Sequence, residues 1–445
     1  MRRLVILVLL LAAMRLILPL GAEGQGSEAL LSFGFLILAA YTVGEVAAAV
    51  RLPKIVGYLV GGLLLGPHVL GAISANGTEQ LTPVSQLAVA LIAFLAGAEL
   101  RWGEVRDRGV TLLKMMSTEL VVTFVALVGL LYGLRGLIPP LAGAPPVEAL
   151  AFALLFASIA VVHSPAVTMA LLTETRAHGP VARTTLGVVL LADVAVVLLF
   201  SATLAIVQGF APPEGGSAVV GVGMVLWEIG GALVVGALLG GAVALYLRYV
   251  GRELILFAVL LAFFGLEIAR LAHVEVLLTL LTAGFVAENT SSRGDELRHA
   301  MERSAAPIFV VFFALSGAKI DIAAVAPLLP LVIPIALVRG SAIWMGTRLG
   351  AAWAGVAGPE RKLAWMGLVS QAGVAIGLSA ILADAYPGRG AYLQGLLLAL
   401  IAVNETVGPV LFRRALSKGG ELAPENGAPE PAPAPAAAVV AGEPV

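Results

Sequence analysis

Residues 148–173 read EALAFALLFASIAVVHSPAVTMALLT, and residues 181–208 read VARTTLGVVLLADVAVVLLFSATLAIVQ. At 1.5 Å of rise per residue, each is long enough to cross about 30 Å of hydrocarbon. Each also carries a feature that a helix facing lipid would not. The first is interrupted near its middle by His163-Ser164-Pro165. Proline removes a backbone donor and breaks the helical ladder, and inside a membrane the freed groups need a polar partner. The second places Asp193 12 residues from its Arg-bearing start, about 18 Å deep. Its flanks, Leu190-Leu191-Ala192 and Val194-Ala195-Val196, offer no polar partner. The pair predicts an all-α membrane protein with a broken helix beside a helix that carries a lone mid-membrane carboxylate.

Working outward, apolar stretches recur at 4–20, 28–49, 55–72, 84–100, 110–137, 218–247, 253–270, 273–288, 303–317, 323–350, 362–385 and 391–412. Composition agrees: 60% of residues are hydrophobic and 12% charged, against about 25% charged in soluble domains. There is no cysteine, so disulfides, thiolate nucleophiles, Fe–S clusters and Cys-based zinc sites are excluded. A net charge of −1 and no long basic run give no surface for nucleic acid. No metal cluster or nucleophile–base pair is visible, so neither an enzyme nor a cofactor is expected.

With Arg2 and Arg3 in the cytoplasm and the stretches alternating sides, most of the 27 Lys and Arg fall on cytoplasmic ends. That bias orients polytopic proteins and predicts an inner-membrane protein with a cytoplasmic C-terminus. The opening stretch reads equally as a signal peptide or an extra N-terminal helix over 1–22, because Arg15 lies inside it and no A-x-A site follows. Thirteen stretches remain, six on each side of 218–247. A single linking helix between two six-helix halves makes them inverted repeats. The expected organisation is an exchanger-type unit over 28–417 and a disordered, Pro/Ala-rich cytoplasmic tail over 418–445.

The fifth stretch of the second half carries Ser370-Gln371-Ala372-Gly373, matching the break at His163-Ser164-Pro165 in the first. Read singly, such motifs are a proline kink or a glycine packing seam. Two interrupted helices at corresponding positions point to a substrate site between the halves. Two further charges lie at similar depth: Glu119, about 14 Å in, and Arg339, about 17 Å in. An ion pair between them is the expectation, with Glu405, about 10 Å deep, as the other candidate partner for Arg339. Glu45, Glu99, Glu148, Glu267 and Glu288 lie near helix ends and read as solvated, and Glu228 and Glu275 as parts of the scaffold.

Four segments carry a resemblance. Pro53-Lys-Ile-Val-Gly-Tyr-Leu-Val-Gly-Gly-Leu-Leu-Leu-Gly-Pro67, Phe94-Leu-Ala-Gly-Ala-Glu-Leu100, Phe312-Phe-Ala-Leu-Ser-Gly-Ala-Lys-Ile-Asp321 and Asn404-Glu-Thr-Val-Gly-Pro409 with Gly420-Glu421 resemble, in order, motifs of Kef-type monovalent cation:proton antiporters. The resemblance implies thirteen helices in two inverted halves, with a core moving against a dimerising scaffold, hence a homodimer in a lipid bilayer. It also implies that Asp193 is the ion-binding, proton-carrying aspartate, that Arg339 is the basic residue before the second broken helix, and that Ser164 and Pro165 mark the first break. The chain departs from the pattern at Ala192, where relatives place Asp, Asn or Gln, and at His163-Ser164, where some have Thr-Asp.

The function expected is exchange of Na+, K+ or Li+ for H+ at Asp193, with oxygens from Ser164 and freed carbonyls as further ligands. Ala192 carries no proton and arginine stays protonated, which makes the exchange electroneutral; His163 is the other candidate proton carrier. Two alternatives stand beside it. One is the membrane part of a ligand-gated potassium efflux system, although no G-x-G-x-x-G on a βαβ unit follows the last stretch. The other is a non-transporting membrane sensor.

Overall fold

The computed structural model describes residues 25–209, 211, 222–371 and 373–423. The signal peptide or extra helix expected over 1–22 lies outside the described residues. Every regular element among them is helical.

The first half runs α1 (Gln25–Ala49), α2 (Lys54–Leu65), a short α3 (Ala75–Gln80), α4 (Thr82–Ala98), α5 (Trp102–Gly133), α6 (Pro146–Ala160), α7 (Pro165–Thr175) and α8 (Pro180–Gln208). Then comes α9 (Val222–Tyr249). The second half runs α10 (Leu254–Leu271), α11 (Val276–Thr290), α12 (Gly294–Ala318), a short α13 (Ile322–Val325) and α14 (Leu329–Trp353). It closes with α15 (Glu360–Leu363), which passes into a 3₁₀ turn at Ala364–Gly367, then α16 (Val374–Ala385) and α17 (Arg389–Gly419). Among the described residues, eight spans, counting α6 with α7, are long and apolar enough to cross a membrane; five shorter apolar helices accompany them. Proline opens α6, α7 and α8 at their first turns, where its missing N–H would have no intrahelical partner anyway.

The helices gather into two bodies. In one, α9 packs on α11, α11 on α4, and α12 on α2 and α4. In the other, α5 packs along α14, α6 lies against α5 and α8, and α16 lies against α17. Small residues let backbones meet inside each body: a Cβ added at Gly317 would meet Leu59 carbonyl oxygen, and one at Gly346 would meet Glu119 Cα. Such close approach is how helices associate where the solvent is as apolar as their side chains. A tie between the bodies sits where α2 begins: Glu174 of α7 accepts from the Lys54 N–H at 2.9 Å.

The ordered chain extends past 418, where the tail is expected to start. Gly420 turns left-handed at φ 71°, and Glu421 folds back onto the start of α8. Its carboxylate accepts from the N–H groups of Val181 (2.7 Å) and Ala182 (2.8 Å). Those amides have no intrahelical acceptor, and the positive end of the helix dipole favours an anion there. Several acids expected to be solvated are paired instead. Glu148 accepts from Arg389 at 2.7 Å, Glu45 from Lys54, and Glu99 and Glu288 each lie 3.6 Å from Arg298.

Candidate functional site

Both expected interruptions are present. Between α6 and α7 the chain leaves the helix from Val161 to Ser164. Ser164 is the N-cap of α7, its Oγ accepting from Val167 N–H at 3.2 Å, and Pro165 is the first helical residue. In the second half the chain is non-helical from Leu368 to Gln371, and Gly373, at φ 43°, opens α16. A side chain there would strain the backbone.

The carbonyls freed by these breaks converge on Arg339 of α14, which is fully buried. Its guanidinium donates to Ala160 O (2.7 Å), Val162 O (2.8 Å) and Val369 O (2.6 Å). One planar fork thus ties the end of α6 and the first break to the second break. A cation suits a helix C-terminus, where the dipole is negative. Gln371 Nε2 also donates to Ala160 O at 2.8 Å, and Asn404 of α17 donates to Gln371 Oε1 at 2.7 Å. Ser370 is buried against Gly408 of α17.

Glu119 is not in ion-pair contact with Arg339, contrary to expectation. The two act on each other electrostatically, but the Glu119 carboxylate bonds elsewhere. Its Oε1 accepts from Thr123 Oγ1 at 2.8 Å, and its Oε2 lies 3.0 Å from His163 Nε2. The other ring nitrogen, Nδ1, is 2.7 Å from the Leu368 carbonyl. A carbonyl only accepts, so Nδ1 carries a hydrogen; the contact with Glu119 then needs a second proton, held between ring and carboxylate. Glu405 is buried in α17 and takes no part in the bonds of Arg339. Similar depth along two helices says nothing about which way their side chains point, and five guanidinium donors are better matched by three freed carbonyls than by one carboxylate.

Asp193, halfway along α8, makes none of the hydrogen bonds of this network. Its Oδ1 is buried without a hydrogen-bond partner. It lines a narrow cleft between the two bodies with Val197 of α8, Ile229 of α9, Leu278 and Leu281 of α11, and Val374 of α16. One other acid lines it: Glu275, the N-cap of α11. A separate cavity of about 1040 Å³ opens at the Lys- and Arg-rich end, between α7 and α8 on one side and α2 and α12 on the other. It reaches Leu186, two turns of α8 short of Asp193.

Residues 6–413 match the profile of the family described as "Sodium/hydrogen exchanger, transmembrane". The chain belongs to that family. The resemblance to cation:proton antiporters is thereby borne out, and the protein is a multi-pass membrane protein. Over 101 residues, 22% of this chain, it is 28% identical to the "Probable Na(+)/H(+) antiporter GerT" of Bacillus cereus. That match spans about a quarter (26%) of the relative's length. In fold it is similar to the sodium proton antiporter MjNhaP1 from Methanocaldococcus jannaschii, with a TM-score of 0.64 at 16% identity, covering 88% of this chain and 97% of the other.

In this chain the expected site residues fall into two groups. Arg339, Glu119, His163, Gln371 and the chain at Ser164-Pro165 and Ser370 come together around the breaks. Asp193 stands apart. Neither Ser164 nor His163 is among the residues lining its cleft, and the freed carbonyls at Ala160, Val162, Leu368 and Val369 are engaged by donors. Sequence reasoning placed Asn404 and Glu421 in a family motif without giving either a role, and read Glu275 only as scaffold. The available signal for Glu275 was its position at the head of an apolar stretch too short to carry it clear of the hydrocarbon.

Proposed function

We propose that the protein is a secondary active antiporter exchanging a monovalent cation, Na+ or K+, for H+ by alternating access around Asp193. One observation carries the reading: within a sodium/hydrogen exchanger chain, the Asp193 carboxylate has a buried oxygen free of any hydrogen bond, in a cleft walled mainly by apolar side chains. An unpaired charge in such surroundings is costly, and either a proton or a dehydrated cation relieves it. The two compete for one charge. That competition couples their fluxes, provided the empty anionic form crosses poorly. The names of both relatives point the same way.

The rest of the reading builds on this. Thirteen spans form two inverted repeats joined by α9, with α6–α7 and α15–α16 as the matched broken helices. The body carrying Asp193 moves against the other, which holds the dimer contact. Lipid covers exposed apolar residues such as Leu238, Phe264 and Leu271. The Lys- and Arg-rich end is cytoplasmic, in the inner membrane, so the large cavity opens inward and α17 ends on that side. Exchange is electroneutral. Ala192 has nothing to titrate, Arg339 keeps its charge, and Glu119 and His163 contact each other outside the cleft.

Reconstitution in liposomes with a pH-sensitive dye, scanning Na+, K+ and Li+, tests the reading. At least one cation should drive proton movement in the wild-type protein. A potential set with valinomycin should leave Na+- or Li+-driven exchange unchanged. Proton movement indifferent to all three cations overturns antiport, and acceleration by the potential overturns electroneutrality.

A further inference from the structure

The cleft at Asp193 is also lined by a carboxylate from the other body. Glu275 caps α11, its Oε2 accepting from the Leu278 N–H. Its own N–H donates to Glu228 O of α9 at 3.3 Å, and its carbonyl accepts from Thr279 N at 3.1 Å and Thr279 Oγ1 at 2.6 Å. Backbone and side chain are thereby fixed to the α9–α11 pair. One carboxylate oxygen, Oε2, faces the α11 N-terminus, and the side chain as a whole lines the cleft with Asp193. Glu275 is also the charged group whose field acts on Asp193. The remaining lining is aliphatic.

Two carboxylates facing one apolar cleft, one of them with an unpartnered buried oxygen, lack a positive charge. No Lys, Arg or His lines the cleft, and Arg339 is turned to the carbonyls of the breaks. Hard oxygen donors of this kind suit small monovalent cations. We propose that Glu275, held to the scaffold at the head of α11, is a second carboxylate ligand for the cation that Asp193 takes up, completing the site across the cleft. The proposal deepens the exchange reading and rests on it. It supplies the oxygen that Ala192 and His163-Ser164 do not.

The test separates ligand from cap. Asn is as good an N-cap as Asp but carries no charge, so Glu275→Asn keeps the cap and loses the ligand charge, and Glu275→Asp keeps both. Melting of the detergent-solubilised protein is followed against NaCl, KCl and LiCl, with choline chloride as the control. Stabilisation by a bound cation grows with its concentration over Kd. Wild type and Glu275→Asp should be stabilised by at least one of the three salts over choline. Glu275→Asn should need roughly tenfold more of that salt for the same shift, from the loss of one nearby opposite charge, and the KM for that cation in liposomes should rise in step. Equal salt dependence in Glu275→Asn and wild type overturns the proposal, as does an Asp variant that fails like the Asn one, which makes geometry of the cap the cause. Absence of cation stabilisation in the wild type also overturns it. Cation stabilisation without proton exchange would instead sink the antiport reading and leave Glu275 a ligand.

Discussion

Two charged centres lie in the body formed by α5, α6, α8, α14, α16 and α17, and they are built in opposite ways. Around the breaks, the charged and amide side chains meet bonded partners, although the Ser370 hydroxyl has none: Arg339 has three carbonyls, Glu119 has Thr123 and His163, and Gln371 has Ala160 and Asn404. At Asp193 a buried carboxylate oxygen has none. A satisfied polar network in a low-dielectric interior rigidifies and specifies structure, whereas an unsatisfied group there is unstable unless something binds it. The first centre therefore holds the crossing together, and the second is where we propose that an ion enters and leaves.

The contrast can be broken most severely at Arg339. Arg339→Gln strips the fork from three buried carbonyls and should destabilise the protein by about 3–5 kcal/mol, the scale for removing one member of a buried charged arrangement. Thermal melting in detergent reads this. A loss no larger than that of Asp193→Asn would erase the distinction between the centres.

A smaller effect sharpens the internal wiring of the crossing. A double-mutant cycle between Glu119→Gln and His163→Gln should show a coupling of about 0.5–3 kcal/mol, the range for residues in direct contact. The cycle between Glu119→Gln and Arg339→Gln should show less, since those two share a field but no hydrogen bond. The reverse order would restore the ion pair expected from depth alone.

The smallest effect lies at the rim of the same body. Glu421→Ala leaves two amides at the head of α8 without their acceptor and should cost about 1 kcal/mol, as loss of a helix cap does, read as a modest fall in melting temperature. No fall would mean that the segment after α17 contributes nothing to the fold.

Much of this is legible in the chain itself. His163-Ser164-Pro165 and Ser370–Gly373 mark real breaks because proline and glycine act locally, through a missing donor and a permissive backbone. Asp193 stands out because its neighbours on both sides are aliphatic. Partnerships are not legible in the same way. Depth gives the height of Arg339 and Glu119 along their helices but not the direction in which each points, and the carbonyls that Arg339 binds carry no mark in a sequence of side chains. Glu275 reads as scaffold, which is where it is attached, but α11 begins only at Val276, after a turn in which His273 adopts φ 54°. That turn brings the acid to the cleft. Glu421 is marked by the Gly420-Glu421 of the closing motif, but the Pro and Ala that dominate the residues C-terminal to it hide its bond to the head of α8.

The central claim is that Asp193 is left unpartnered for exchange and not for the fold. Asp193→Asn, reconstituted in liposomes with a pH-sensitive dye and melted in detergent from the same preparation, tests it most directly. The account predicts loss of cation-driven proton movement with a melting temperature equal to or above that of the wild type, because a buried charge has been replaced by a neutral group of the same shape. Wild-type exchange by Asp193→Asn, or a collapse of its melting temperature, would contradict the account.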